Sequence, residues 1–467
     1  MAEGDRLTDS PTEVRGVPDF VGRPGPSAYH RLNPLTKATL ATVTAIAAVA
    51  IGGIVGPIAL VAIAVIGPAL AARVLGRLVR TALLLALPIA ISAFALAPQR
   101  GGPPDLDKDP FIGVTANGTV TPGLFAIRTT GVTTRPVMQA AAGFIAALTP
   151  EQRKTTTFPV DDSEWRRWNN VHRAARAGLA FKDMTDEQRT RAFDLLKAGL
   201  SARGLEKTRN VMKLNHTIAE LTNNFTEYGE GLYNMTVMGE PSPSEPWGWQ
   251  LEGHHLIVNY FVLGDQVVMT PAFMGSEPVR ADAGKYAGTT VLQDEQNKGL
   301  ALMQALSAPQ QQKALLEPGK KVANRSQAQA YRDNLQLGYA GIKGSELNPQ
   351  QRALLTEVVA EYVHNMSDGH AKVRMAEVRA HLDDTYVGWI GETTPDAVFY
   401  YRIHSPVILI EFDHQTPVAL KGPREPGRAH IHSVVRTPNG NDYGKDLLRL
   451  HYKTHAHDAA HGHPEKE

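Results

Sequence analysis

The sequence predicts an α+β domain with clustered antiparallel strands and flanking helices, preceded by an α-helical transmembrane segment of about three spans. Three observations lead to this fold class. Residues 38–72 contain no charged side chain, in a chain where 20% of residues are Asp, Glu, Lys or Arg. Helix-capping patterns recur after residue 114, and β-branched and aromatic residues gather in two blocks. Helices that lie before and between clustered strands are typical of α+β domains.

The uncharged runs predict membrane-spanning helices. A second run covers residues 81–99, and a helical span needs about 20 apolar residues. Gly and Pro residues at 52–57 interrupt the first run, so we expect a hairpin of two spans and then a third. Basic residues at 31–37 and 73–80 favour the cytoplasmic side. These patterns predict a location in the bacterial cytoplasmic membrane, with membrane lipid as a partner and the soluble domain on the extracytoplasmic side.

Residues Tyr29–Lys37 and the apolar block behind them resemble the start of the transmembrane T component of energy-coupling-factor importers. The resemblance covers about residues 28–98 and implies importer ATPases as partners. A complete T component also has long cytoplasmic coupling helices with arginine-centred motifs, and nothing after Arg100 looks like them. A generic membrane anchor is therefore the alternative to a transporter subunit.

Composition changes along the chain predict five segments. We expect a disordered N-terminus at 1–28, the transmembrane region at 29–99 and a linker rich in Gly, Pro and Asp at 100–114. The α+β domain is expected at 115–452, followed by a His-rich disordered tail at 453–467. No internal repeat with a fixed period is evident.

Charge and cysteine content exclude several classes of function. The chain has 48 basic and 47 acidic residues, so no basic excess indicates nucleic acid as a partner. Cysteine is absent, which excludes disulfides, a thiol nucleophile and thiolate metal ligands. The sequence also lacks a phosphate-binding P-loop, a dinucleotide-binding glycine motif, His-Glu-x-x-His and Gly-x-Ser-x-Gly. Any metal site must therefore use histidine and carboxylate ligands.

Capping patterns and strand propensities place the elements of the α+β domain. Helices are expected to begin at Thr149, Thr185, Ser307 and Asn348, the second of these with a capping-box pattern. A hairpin is expected from residues 255–263 and 266–270, joined at Gly264. Further strands are expected at 398–403, 407–412 and 430–435.

Seven segments in order carry a second resemblance: Phe158–Asp162 with Glu164, Trp165 and Trp168, then Trp247–Leu256, Phe273–Pro278, Tyr400–Pro406, Glu411–Asp413, His430–Val434 and Asn441–Gly444. Through these segments the chain, from about residue 115 to residue 452, resembles a bacterial family catalogued as domain of unknown function 3500. The chain departs from the family pattern at Val435, where Trp is expected, and by an extra residue within 437–440. The family name implies no activity, so the chemistry must come from the residues.

The histidines predict a metal site. His430 and His432 lie in an expected strand, where alternate side chains share a face, and His-x-His on a strand is a common metal-ligand spacing. The adjacent His254 and His255 face opposite ways, so one of them can supply a third ligand. Glu411 ends an apolar run, where a carboxylate is costly unless it is paired or bound to a metal. We expect two or three histidines with Glu411 to bind a divalent metal ion (zinc, iron or copper) and to leave one coordination position open.

Other polar residues near the expected strands are candidates for catalysis. Asp442 is a candidate general base, although Asn441–Gly444 is also typical of a turn. His404 is a second candidate catalytic residue. Arg402 and Arg436 can pair with strand carboxylates or bind an anionic substrate.

Together these features predict a membrane-anchored, extracytoplasmic, metal-dependent hydrolase or oxidoreductase that acts on a small-molecule substrate. Two alternatives remain. The protein can be a non-catalytic accessory protein that holds a metal ion or ligand for an importer. It can also be a structural domain whose histidines are buried hydrogen-bonding groups.

Overall fold

Helices begin where the sequence supplies their caps. At Thr149, Thr185 and Asn348 the cap side chain and a Gln three residues later form reciprocal hydrogen bonds, the pattern that the sequence predicted at Thr185. At Ser307 the N–H donates to Gln310 Oε1. This computed structural model describes residue 106 and residues 108–422 and 424–454. The helices are α1 (Arg135–Ala146), α2 (Pro150–Thr156), α3 (Asp186–Gly199), α4 (Ala202–Thr222), α5 (Gln293–Gln304), α6 (Ala308–Ala314), α7 (Pro349–Val363), α8 (Asp368–Ala380) and α9 (Lys445–Thr454).

The strands pair into one thirteen-stranded sheet within the described residues. The strands are β1 (Thr157–Phe158), β2 (Leu179–Ala180), β3 (Tyr233–Met238), β4 (Trp247–Gly253), β5 (Leu256–Leu263), β6 (Gln266–Val268), β7 (Ala272–Ser276), β8 (Leu315–Glu317), β9 (Ile342–Lys343), β10 (Tyr386–Gly391), β11 (Phe399–His404), β12 (Leu409–His414) and β13 (Ile431–Arg436). The main path runs β1-β3-β4-β5-β7-β13-β12-β11-β10-β8, with β2 beside β3, β6 beside β5 and β9 beside β10.

The predicted fold class is wrong in two respects. The sheet is mixed rather than antiparallel, because β1 runs parallel to β3 and β8 runs parallel to β10. No helix in the part of the chain that the structure describes is long and apolar enough to cross a bilayer. The prediction of a transmembrane protein in the bacterial cytoplasmic membrane is therefore contradicted and is withdrawn. The predicted spans at 29–99, the N-terminal segment and the histidine tail from residue 455 lie outside the described residues.

The sheet repeats one arrangement twice. Its strand order is unchanged when β1, β3, β4, β5 and β7 are exchanged with β8, β10, β11, β12 and β13, respectively. Four helices accompany each set along the chain, α1–α4 in the first set and α5–α8 in the second. The two halves meet where β7 pairs antiparallel with β13, and Met274 lies opposite Ser433 at the centre of that pairing. The chain therefore contains an internal duplication with an approximate two-fold relation, which the sequence prediction missed.

The two faces of the sheet have different coverings. Leu256, Met274 and Ile410 point to what we call the helix face, where they share a core with helical residues such as Leu195 and Leu355. Alternate residues point to the opposite side, which we call the loop face. There Ile257, Phe273, Leu409 and Val434 pack against the non-helical segments and α9, through Trp165, Trp168, Tyr443 and Leu447. This alternation decides which strand side chains can meet.

Candidate metal centre

Strand β13 brings two of the predicted ligands together. Ile431 is buried in the helix-face core, so His432 and the preceding His430 project the other way. Their Nε2 atoms lie 3.0 Å apart, and the two rings are nearly perpendicular. The two side chains that the alternation in β13 assigns to one face therefore lie together.

The turn between β4 and β5 supplies the third imidazole. His255 occupies the second turn position with a positive φ of 61°, and its Nε2 lies 3.3 Å from His430 Nε2. Its carbonyl oxygen accepts a 2.8 Å hydrogen bond from the Gly275 N–H, which ties the turn to β7. The ligand atoms of His255, His430 and His432 all lie within 4.8 Å of one another, and all three residues are buried.

A glycine opposite the histidines makes room for them. A Cβ atom on Gly275 would lie 3.0 Å from Cδ2 of His432, 3.3 Å from Cδ2 of His255 and 2.7 Å from the Ile431 carbonyl oxygen. The last contact is too short, so any other residue would push β7 away from β13 or displace the rings. Gly275 lies within the family-like segment Phe273–Pro278, and the sequence pattern predicts no role for it.

Two of the nitrogen–nitrogen distances in the cluster fit a metal ion. Ligand nitrogens about 2.0–2.1 Å from a tetrahedral zinc ion lie roughly 3.3–3.4 Å from one another. The distances from His430 Nε2, 3.3 Å and 3.0 Å, are close to this value. The residues present therefore fit a three-histidine site with one further coordination position.

Hydrogen bonding alone does not satisfy the cluster. His430 Nδ1 lies 2.8 Å from the Thr416 carbonyl oxygen and must donate to it, so the neutral ring presents a bare lone pair at Nε2. That lone pair can accept one N–H, from His255 or from His432. Whichever of His255 and His432 does not donate then has its Nε2 close to the cluster without a hydrogen bond. In both cases Nδ1 of His432 also has no hydrogen-bond partner. A cation resolves the convergence of lone pairs.

A second layer of side chains fixes the histidines. Glu277 Oε2 lies 3.4 Å from His430 Nδ1, and the same carboxylate accepts N–H bonds from residues 418–420. His254 is stacked on His255 with ring centroids 3.8 Å apart, and its Nδ1 donates to Asn215 Oδ1 at 2.8 Å. Carboxylates and amides that orient ligating imidazoles are typical of metal sites. Neither Glu277 nor Asn215 was predicted.

Burial keeps the imidazoles neutral. Removal from water lowers the pKa of His255 and His432 well below the usual value, and neighbouring histidines lower it further. The pKa of His430 is also lowered by burial, with Glu277 acting in the opposite direction. A neutral imidazole is the form that binds a metal ion. The site therefore holds its ligands in the competent protonation state.

Glu411, the predicted carboxylate ligand, is engaged elsewhere. Its oxygens accept hydrogen bonds from the N–H groups of Gln327 and Ala328 and from the hydroxyl of Tyr400. Glu411 does not join the group of His255, His430 and His432. These hydrogen bonds offset the cost of burying the Glu411 carboxylate, so its burial does not require a metal ion.

The two predicted catalytic residues also lie outside the cluster. Asp442 accepts hydrogen bonds from the Thr437 N–H at 2.7 Å and from Arg436 at 3.2 Å, so both of its oxygens are occupied. His404 is buried beside the Tyr339 ring, and neither of its ring nitrogens has a hydrogen-bond partner. Of the two arginines, Arg436 binds Asp442 and Asp333 in a buried ion-pair network.

The internal duplication shows that the cluster is asymmetric. The turn His254-His255 corresponds to Pro406-Val407, because Gly253 pairs with Leu256 and Ser405 pairs with Ile408 in the same way. The second half thus carries apolar side chains at the turn where the first half carries two imidazoles. Histidines at one of two related positions indicate a local function rather than a requirement of the fold.

Comparison with known proteins gives a family but no activity. Residues 130–445 match the family described as "Protein of unknown function (DUF3500)". No curated protein and no solved structure matches the chain. The resemblance of residues 28–98 to an importer component lies outside both this match and the described residues. Because the match spans about two thirds of the sequence and includes the histidine cluster, the chain belongs to the DUF3500 family.

Proposed function

We propose that this protein binds one zinc ion through His255, His430 and His432 and uses it for hydrolysis of a small molecule. The observation that carries the proposal is the convergence of three buried imidazoles whose lone pairs no set of neutral tautomers satisfies. The metal-dependent enzyme predicted from the sequence is retained here without a membrane anchor and without Glu411 as a ligand.

The set of donors favours zinc. Non-haem iron oxygenases use two histidines and one carboxylate, and blue-copper sites need a cysteine thiolate. This cluster has three imidazoles, and the carboxylate beside His430, that of Glu277, also accepts hydrogen bonds from backbone N–H groups. Three histidines with a fourth position left open are typical of catalytic zinc. The same reasoning favours a hydrolase over an oxidoreductase.

The residues around the cluster have separate tasks in this proposal. Bound zinc lowers the pKa of a coordinated water to about 7 and so supplies a nucleophile at neutral pH. Glu277 and the Thr416 carbonyl hold the Nδ1 proton of His430 and thereby direct its Nε2 lone pair inward. The Phe273 ring lies edge-on to His432, with centroids 5.0 Å apart, and shields that side of the site from water.

Burial supports a second candidate, a structural zinc ion. The three histidines are only 3–7% exposed, and a closed site is typical of a structural ion. Such an ion would join the β4–β5 turn to β13. It would contribute to folding without turnover.

Elemental analysis tests the metal itself. Full-length protein purified without an affinity tag should retain about one zinc per chain, as expected for a single three-histidine site. His432→Ala should lose that ion, whereas His364→Ala, at an exposed histidine, should keep it. The tail histidines are common to all of these proteins and cancel in the comparison. Equal metal contents in His432→Ala and the parent protein would refute the site.

Cobalt substitution separates the catalytic from the structural candidate. Co²⁺ in place of zinc gives a visible spectrum that depends on its ligands. Azide added to the cobalt protein should change this spectrum if the fourth position is open, and hydrolysis of p-nitrophenyl acetate should be lost in His432→Ala. A cobalt spectrum that azide leaves unchanged, together with no hydrolysis, would favour the structural ion.

A further inference from the structure

A cavity of about 450 Å³ lies on the helix face of the sheet, beneath α8. Its floor is formed by Ala272 and Met274 of β7 and by Ser433 and Val435 of β13. Helix α8 and the end of α7 form one wall, and the segment 123–130 with β6 forms another. The volume is within the range of sites that enclose small organic molecules.

The cavity is separate from the histidine cluster. None of His255, His430 and His432 lines it. Ser433 follows His432 directly in β13, and successive strand side chains point to opposite faces of the sheet. The cavity is therefore a second candidate site, and it does not depend on the metal.

An unsatisfied amide faces this cavity. Asn365, at the end of α7, is only 5% exposed, and its Oδ1 atom has no hydrogen-bond partner. The one contact of its Nδ2 is the Met274 sulfur at 4.0 Å, a weak acceptor. A buried carbonyl oxygen without a donor is costly. A hydroxyl or N–H on a bound molecule would satisfy it.

The acidic and basic residues that line the cavity are Arg128, Arg374, Glu295 and Glu377, and Glu295 is paired with Lys207, which lies outside the lining. The remaining three carry one positive charge in excess. Glu377 accepts hydrogen bonds from both Arg374 and Arg128, at 2.9 Å and 2.8 Å. Arg374 also donates to the Val407 carbonyl and to the Thr437 hydroxyl. The bonds of Arg374 to Glu377, Val407 and Thr437 use three of its five N–H groups, which leaves two to donate to a ligand. A carboxylate on the ligand would balance the second guanidinium.

We propose that this cavity binds a small organic acid with an apolar body. Its carboxylate lies at Arg374, its apolar body covers the side chains of Ala272, Met274 and Val435, and a hydroxyl or N–H group donates to Asn365. The apolar floor excludes fully polar acids, because burying groups without partners is unfavourable. The excess positive charge disfavours neutral and cationic molecules of the same shape.

Calorimetric titration of the full-length protein tests this site. The probes are octanoate, 1-octanol, 3-hydroxyoctanoate and 8-hydroxyoctanoate. Octanoate should bind more tightly than 1-octanol, and one of the two hydroxy acids should bind about fivefold or more tightly than octanoate, the value of one hydrogen bond. Absence of binding by every acid at millimolar concentration would overturn the proposal, as would equal affinities for octanoate and 1-octanol.

Variants locate the ligand. Val373→Trp fills the cavity and should abolish binding, whereas Lys372→Trp, at an exposed neighbouring position on α8, should not. Asn365→Leu should remove the advantage of the hydroxy acid and leave octanoate affinity unchanged. Thermal unfolding shows whether each variant is folded. Binding that persists in a folded Val373→Trp protein would place the ligand elsewhere and refute the assignment.

Discussion

Gln188 and Gln351 make the same two hydrogen bonds in different parts of the chain. Gln188 Nε2 donates to the Ala147 carbonyl at 2.9 Å and to Gln152 Oε1 at 2.7 Å. Gln351 Nε2 donates to the Ala305 carbonyl at 2.9 Å and to Gln310 Oε1 at 2.8 Å. Each glutamine is also the third residue of a capping box. This repeated network joins two helix starts in each half of the fold.

Because the two networks are equivalent, their loss should have equal cost. Gln188→Ala and Gln351→Ala each remove the hydrogen bonds to a part-buried carbonyl and to a glutamine oxygen, and each opens a capping box. Each should lower the free energy of unfolding by about 1–3 kcal/mol, measured by urea denaturation. Gln312→Ala, at an exposed position of α6, is the control and should change it by less than about 0.5 kcal/mol. A large loss in one variant alone would show that the halves are not equivalent.

The side chains around the proposed metal site give another prediction. Glu277→Gln keeps an oxygen for the N–H groups of residues 418–420 but removes the charge beside His430 Nδ1. Zinc affinity, measured by competition with a chromophoric chelator, should fall about 10–100-fold, as for other partners of ligating histidines. Glu245→Gln, at an exposed glutamate, should leave it unchanged. An unaltered affinity in Glu277→Gln would exclude Glu277 from orienting the ligand.

The sequence predicted the histidine cluster in part. Alternate side chains of a strand share a face, which was sufficient to place His430 beside His432. Adjacent side chains point in opposite directions, which was sufficient to predict that one of His254 and His255 faces them. Glu411 was misplaced because a buried carboxylate satisfied by backbone N–H groups has the same sequence pattern as a ligand. Glu277 was missed because its partners lie in a loop about 140 residues away, and no local pattern reports such a contact.

The fold was predicted unevenly for a similar reason. Caps and β-propensity are local, so the helix starts and the β5–β6 hairpin were found. The duplication was missed because its spacing varies. The Gln250–Asn259 pair recurs as Arg402–Glu411, and the Thr185–Gln188 cap recurs as Asn348–Gln351, at a different separation. Few side chains are shared between the halves, so only hydrogen bonds and strand order reveal the relation.

His404 should make the protein sensitive to acid. Burial lowers its pKa to about 3, with the Arg402 guanidinium adding to the shift, whereas an unfolded histidine titrates near about 6.5. Between these pH values His404 is protonated in the unfolded chain but not in the folded chain, so the free energy of unfolding falls as pH falls. His404→Phe removes this pH-dependent loss of stability. Since neither ring nitrogen of His404 has a partner, the variant should match the parent at neutral pH and exceed it by about 1–2 kcal/mol near pH 5.

Urea denaturation at several pH values measures this difference. His364→Gln, at an exposed histidine, should show the same pH dependence as the parent protein. If His404→Phe instead loses more than about 2 kcal/mol at neutral pH, its nitrogens hold a polar partner in the native protein. A catalytic role for His404 would then deserve a new test.

Asp442 should prove structural rather than catalytic. Burial raises its pKa to about 6, Arg436 opposes that shift, and both oxygens accept hydrogen bonds. Asp442→Ala leaves Arg436 buried with one carboxylate fewer, so the free energy of unfolding should fall by about 3 kcal/mol or more. Asp442→Asn, which keeps an acceptor for the Thr437 N–H, should lose less, and Asp186→Ala, at an exposed ion pair, should lose about 0.5 kcal/mol or less. Both Asp442 variants should retain zinc. A stable Asp442→Ala protein that binds zinc but has lost hydrolysis would restore the general-base role.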